Sequence, residues 1–199
     1  MRFLATLLLA AAFGPATAAV ITFDGYQPRY DYSQTTLVTD GFSFTEPCQC
    51  LGVDDQPPHG VLGNLLPGAY NGTASLLYSA NPLGITAVDG AAFFLARLDL
   101  GLSWYVPNSD VGSVVTVSYL LAGGGSGSVS AALERSYSTL EIDQEVLSVS
   151  ISGGRGLGYI SLDNLVVNNQ VPEPESVGLA LLALLSAGAA LRRRPQASA

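Results

Sequence analysis

Cys48-Gln49-Cys50 is where residue type and spacing in this chain most directly suggest chemistry, and these are its only two cysteines. Three outcomes are open to them. In an oxidising compartment they can close a local disulfide, which across one intervening residue constrains little of the unfolded chain. They can stay free thiols. With His59 and Asp54 or Asp55 they can form a metal set, although one histidine near two cysteines is a weak signal. His59 is the sole histidine and lies in the turn Gln56-Pro57-Pro58-His59-Gly60. Any Ser-His-Asp arrangement would have to use it, and no Gly-x-Ser-x-Gly elbow accompanies it. Glu46 with Asp54, or Glu134 with Glu141, could pair for glycoside hydrolysis, but nothing in their spacing sets the separation such chemistry needs. The glycine-rich stretch 123–127 has no Lys-Ser/Thr after it, so it reads as a hairpin loop, not a phosphate cradle. Asn71-Gly72-Thr73 fits a glycosylation sequon and reads here as a turn. The expectation is a protein that is not an enzyme.

Aromatic side chains carry the one positive sign of ligand binding. Tyr26, Tyr30 and Tyr32 crowd the segment after the first apolar run, and Trp104-Tyr105 precedes a Pro107-Asn108 turn. Sugar rings pack their C–H faces on such side chains while polar neighbours fix orientation. The competing use is structural, with the rings plugging the ends of a sandwich. Charge narrows the partners further. The net charge is −8, lysine is absent, and the interior basic residues are Arg29, Arg97, Arg135 and Arg155. Such a domain repels phosphate backbones, so nucleic acid is not an expected partner.

The elements that must position these residues are strands. Short β-branched or aromatic runs alternate with Gly, Pro, Asn and Asp: 20–23, 42–45, 74–78, 85–88, 91–100, 113–121, 128–133, 145–151 and 159–167. No helical period appears between them. Strands without intervening helices predict an all-β domain, an antiparallel two-sheet sandwich.

The two ends read as addresses. Met1-Arg2, the apolar run Phe3–Phe13 and the small residues Ala16-Thr17-Ala18 make a signal peptide over 1–18, cut by signal peptidase. The β domain then occupies 19–170. Residues 171–199 hold Val171-Pro172-Glu173-Pro174, an apolar run to Leu191, and Arg192-Arg193-Arg194. As a helix, Val177–Leu191 is roughly 22 Å long, short of the roughly 30 Å hydrocarbon core, which suits transient membrane insertion better than permanent anchoring. The arginines would remain cytoplasmic and leave the domain outside.

That order of Pro-Glu-Pro, hydrophobic helix and arginine cluster resembles the PEP-CTERM sorting signal. The resemblance implies cleavage by an exosortase, a cell-surface or extracellular location, and a host that makes exopolysaccharide. The middle of the chain is similar to the jelly-roll domains of galactose-binding-like carbohydrate-binding modules. Ile21-Thr22-Phe23-Asp24, Ala87–Phe93 and Tyr159–Val167 carry that similarity. It implies terminal strands lying side by side, with Asp24 and Asp163 helping to hold a structural calcium. The expected function is a non-catalytic module associated with exopolysaccharide or matrix. A secreted polysaccharide hydrolase and a purely structural adhesion subunit are the alternatives.

Overall fold

Strict alternation of apolar and polar side chains puts one face of each strand in a core and the other outside it. The computed structural model describes residues 18–27, 31–55, 68–79, 82–103, 110–154 and 159–168, which form eleven strands. They are β1 (Ala18–Ile21), β2 (Thr36–Thr39), β3 (Phe42–Thr45), β4 (Gly52–Asp54), β5 (Ser75–Tyr78), β6 (Leu83–Ala87), β7 (Phe93–Leu102), β8 (Val114–Leu121), β9 (Ser126–Ala132), β10 (Ser138–Gly153) and β11 (Ile160–Asn168). Every pairing among them is antiparallel. They belong to the compact unit Thr17–Asn169. The helices expected at the two termini lie outside the described residues.

The ladder runs β2-β3-β6-β10-β7-β11-β5-β4, with β1 on β11, β8 on β10 and β9 on β8. The long strand β10 makes this one connected sheet behave as two layers. Its first half, Ser138–Val146, pairs with β7. Its second half, Val146–Gly153, pairs with β8, and Val149–Ile151 also pair with β6. The change of partner follows a bulge between Glu141 and Gln144, where Asp143 takes a φ of 50°. A bulge increases local twist and bends the strand, which lets it leave one layer for the other.

One layer therefore holds β4, β5, β1, β11, β7 and the start of β10. The other holds β2, β3, β6, the end of β10, β8 and β9. Leu76, Leu98, Leu100 and Leu162 from the first meet Leu37, Phe44, Ile85, Val117 and Ile151 from the second in one buried cluster. Phe42 and Phe93 pack edge to face across it, ring centroids 5.0 Å apart. The architecture is the expected antiparallel sandwich. The strands β2 and β4 were not apparent in the sequence, and β10 begins well before the run 145–151.

The glycine-rich stretch closes the β8–β9 hairpin. Leu121 N donates to Gly125 O at 3.1 Å, and Gly124 and Gly125 both have positive φ. That conformation favours glycine because it has no Cβ to clash.

Candidate binding face

Register decides which side chains share the outer face of the first layer. Ser161 is opposite Leu77 and Gly101, Leu77 is opposite Gly52, and Asp163 is opposite Asp99. Asp54 faces Ser75, and Ser103 lies two residues beyond Gly101. Apart from Leu77, the outer face is thus built from small and acidic residues, yet it is covered: Asp54, Ser75, Leu77, Ser103, Ser161 and Asp163 are all buried.

Among the described residues three segments cover it. The chain around Ala69 lies across Gly101, with Ala69 N donating to Leu102 O at 2.7 Å. A Cβ at Gly101 would collide with the Ala69 side chain, so that approach requires glycine. The Tyr32 ring lies over Gly52 in the same way, where a Cβ would stand 2.5 Å from Tyr32 Cδ1. Tyr137 covers the third side and shares a 2.6 Å hydrogen bond with Ser161 Oγ. Burial pushes the Tyr137 hydroxyl up to about 12, so it stays a neutral phenol.

Between these covers is a cleft lined by Asp54, Ala69, Tyr70, Ser75, Leu77, Ser103 and Ser161. Its interior volume is about 20 Å³, enough for a water molecule or one hydroxyl group but not for a sugar ring. Tyr70 on its rim is 41% exposed. A hydroxyl-sized base with an exposed ring beside it can accept one substituent of a larger ligand whose body stays outside.

Beside the cleft, Asp163 ties the sheet to the 71–73 turn. Asn71 Nδ2 and Thr73 Oγ1 donate to its Oδ2 at 2.8 and 2.7 Å, and Asn164 N donates to Oδ1 at 2.7 Å. The turn is preset by Asn71 itself, whose Oδ1 accepts from Thr73 N at 3.1 Å. Gly72 supplies the positive φ of 97°. Asp24, in the turn after β1, accepts from Ala74 N at 2.8 Å. Burial raises the Asp163 carboxyl above the ordinary aspartate value, against the lowering by Thr73, Asn71 and Asn164, and the Asp24 charge raises it further.

The structure brings Asp24 and Asp163 to one neighbourhood, since β1 pairs with β11 from Ala18↔Asn168 to Ile21↔Leu165. The residues present do not fit a calcium ion there. Calcium takes six to eight oxygen ligands, whereas the Asp163 oxygens face the N–H and O–H donors of Asn71, Thr73 and Asn164. Among the described residues no group of three His, Cys, Asp or Glu gathers anywhere. Thermal unfolding with and without a strong calcium chelator is accordingly expected to give the same midpoint. A chelator-induced drop would place an ion in the turn and overturn this account.

The other expected site residues divide. Tyr26 packs against the core and its hydroxyl donates to Gln34 Oε1 at 2.8 Å. Tyr32 donates to Asp54 Oδ2 at 3.1 Å, with its ring 5.8 Å from that of Tyr159. Both rings brace the sheet. Tyr30, Trp104, Tyr105, His59 and the tail residues Val171, Pro172, Glu173, Pro174, Arg192, Arg193 and Arg194 lie outside the described residues. Cys48 and Cys50 are joined in a disulfide. The cleft residues Tyr70, Ser75, Ser103 and Ser161 were not expected from sequence, and only Tyr70, an aromatic beside an Asn-Gly turn, left a readable sign.

Residues 170–194 match the PEP-CTERM protein-sorting motif. The motif directs export and exosortase-dependent sorting to the cell surface or the extracellular space, so the described domain is an extracytoplasmic one. No curated protein matches the chain. Solved structures similar to it include TmCBM61 in complex with β-1,4-galactotriose, at 11% identity over 72% of this chain and 96% of that one, TM-score 0.42. The K1 cleaved adhesin domain of Lys-gingipain from Porphyromonas gingivalis shares 8% identity over 76% and 98%, TM-score 0.44. A variant of the family 29 carbohydrate binding module CBM29-2 shares 12% over 77% and 91%, TM-score 0.39. The sandwich stands on its own strand pairing, independently of these distant likenesses.

Proposed function

We propose that the mature domain, residues 19–170, is a non-catalytic module that binds extracellular polysaccharide at the outer face of the β4-β5-β11-β7 layer. On this reading signal peptidase removes residues 1–18, and exosortase cleavage near Pro172-Glu173-Pro174 removes the tail. The observation that carries the proposal is the cleft beside Tyr70. Its serine and aspartate lining suits one sugar hydroxyl, and the exposed ring can stack on the pyranose to which that hydroxyl belongs. Among the described residues one carboxylate, Asp54, lines the cleft, whereas glycoside hydrolysis uses two. That difference favours binding over turnover.

The test is co-sedimentation with exopolysaccharide from a producing host, alongside a reducing-end assay. The expected result is retention without new reducing ends. Tyr70→Ala should weaken retention about tenfold, the loss of one stacking ring. Equal retention of the variant would remove the cleft as the site. Turnover that disappears in Asp54→Asn would instead establish the hydrolase alternative.

A further inference from the structure

The Cys48–Cys50 bridge spans a sequence separation of two. A ring that small removes little freedom from the unfolded chain, so conformational stabilisation does not explain its presence. Both cysteines are half-buried and Gln49 between them is exposed, so a reagent can reach the pair. What lies behind it suggests another use.

Cys48 Sγ is 3.2 Å from Ser79 Oγ. The same Ser79 hydroxyl bonds Glu46 Oε1, and Ser79 N donates to that oxygen at 2.8 Å. Glu46 is 1% exposed, and its other oxygen, Oε2, is buried without a hydrogen-bond partner among the described residues. A buried carboxyl with an orphaned oxygen is held more comfortably as the neutral acid. Burial accordingly raises it above the ordinary glutamate value, outweighing the two Ser79 hydrogen bonds that lower it. Among the described residues, the titratable groups facing this cluster are Tyr78 of β5, which burial and the Glu46 charge keep a neutral phenol, and the two cysteines themselves. On the far side of the bridge, Cys50 Sγ is 3.3 Å from the Cys48 carbonyl oxygen. In the dithiol form each S–H therefore has an acceptor in place, Ser79 Oγ for Cys48 and the Cys48 carbonyl for Cys50. The loop is arranged for both oxidation states.

We propose that Cys48–Cys50 is an exchangeable disulfide that accepts two electrons from an extracellular dithiol, with Glu46 and Ser79 relaying a proton to the sulfur of Cys48. A thiolate of the dithiol attacks Cys50 Sγ, and the Cys48–Cys50 bond breaks with its electron pair on Cys48. Ser79 gives its hydroxyl proton to that sulfur and takes one from Glu46. The second thiol of the reagent, as thiolate, then attacks its own sulfur in the mixed disulfide and closes the reagent's disulfide. Cys50 leaves as thiolate and is protonated from solvent, and Glu46 recovers its proton there as well. The two protons lost by the dithiol balance the two gained by the cysteines. Glu46 never touches the reacting sulfurs and is a positioning and proton-relay residue.

The experiment is reduction of the full chain by dithiothreitol across pH, quenched by alkylation and read by mass. The wild type should gain two alkyl groups together. Glu46→Gln and Ser79→Ala should each slow reduction about tenfold or more on the acid side, where delivery of a proton to the leaving sulfur helps most. The rise of rate with thiolate at higher pH should be retained. The double variant Cys48→Ser/Cys50→Ser should unfold at the wild-type midpoint, because the bridge carries no structural burden. If Glu46→Gln does not fold, Ser79→Ala carries the comparison. Superimposable pH profiles, or a bridge that resists dithiothreitol in the folded chain, would overturn the proposal.

Discussion

Replacing Asp163 by alanine is expected to lower the unfolding free energy of the domain by about 3 kcal/mol, measured by urea denaturation. Asp163 is 0% exposed and is the acceptor for three donors, Asn71 Nδ2, Thr73 Oγ1 and Asn164 N. Alanine removes the charged acceptor that all three share, and although Thr73 Oγ1 keeps Asn71 Oδ1 within reach, hydrogen bonds to a charged group contribute more than neutral ones. The 71–73 turn would then lift from the sheet, taking with it Tyr70 on the rim of the cleft. Asp163→Asn keeps one accepting oxygen and should cost about half as much. The pH dependence distinguishes the two roles of this carboxylate. Its folded value is raised, so the folded state holds its proton more tightly than the unfolded chain does. Between the unfolded value of 3.8 and the raised folded value, stability falls as pH rises. The burial penalty is fully present above that window and relieved below it. Glu46, raised by burial from 4.5, acts in the same direction. Wild type should therefore gain stability from these two groups on mild acidification. Asp163→Asn should lose its share of that gain, and an unchanged slope would refute the assignment.

How much of this was legible in the sequence depends on the range of the interaction. Phe42-Ser43-Phe44-Thr45 alternates after an Asp-Gly turn, and β3 occupies those residues, because a half-buried strand writes its period locally. In β10 the first half alternates too, with Leu140 and Ile142 inward, but Asp143-Gln144-Glu145 interrupts the pattern at the bulge. A bulge is one residue out of register, and alternation alone does not announce it. β4 has three residues, too few for any period. The facing of Asp163 opposite Leu162 followed from alternation. Its partners did not, since Asn71 lies 92 residues away and no local pattern carries that information. The bond set that occupies Asp163 is what the resemblance had assigned to calcium. Tyr26 and Tyr32 are half-buried, hydrogen-bonded to Gln34 and Asp54, while Tyr70 is exposed, a difference that their common residue type does not carry.

Phe44→Ala is expected to be the most damaging core substitution of this set, costing about 4 kcal/mol in urea denaturation. Against a total stability of roughly 5–15 kcal/mol for a single domain, that is a large fraction. Phe44 is 0% exposed, and its ring meets Phe23 edge to face at a centroid distance of 5.3 Å. The consequence extends past the cavity because Phe23 is unusual. It is 1% exposed with a φ of 60°, a left-handed conformation that bulky residues avoid. Packing against Phe44 compensates that backbone cost, and the turn it holds places Asp24 to accept from Ala74 N. Removing the Phe44 ring should loosen the first turn and, through Asp24 and Ala74, the segment that carries Asn71 and Thr73. A double-mutant cycle with Phe23→Ala measures the link. A coupling of about 1 kcal/mol is expected for an edge-to-face pair. Hydrogen exchange at Ala74 N should quicken in Phe44→Ala relative to the strands of the second layer. Additive losses with unchanged exchange at Ala74 would show the core and the outer face to be independent. Coupled losses would show that the aromatic pair inside the sandwich holds the binding face in position from beneath.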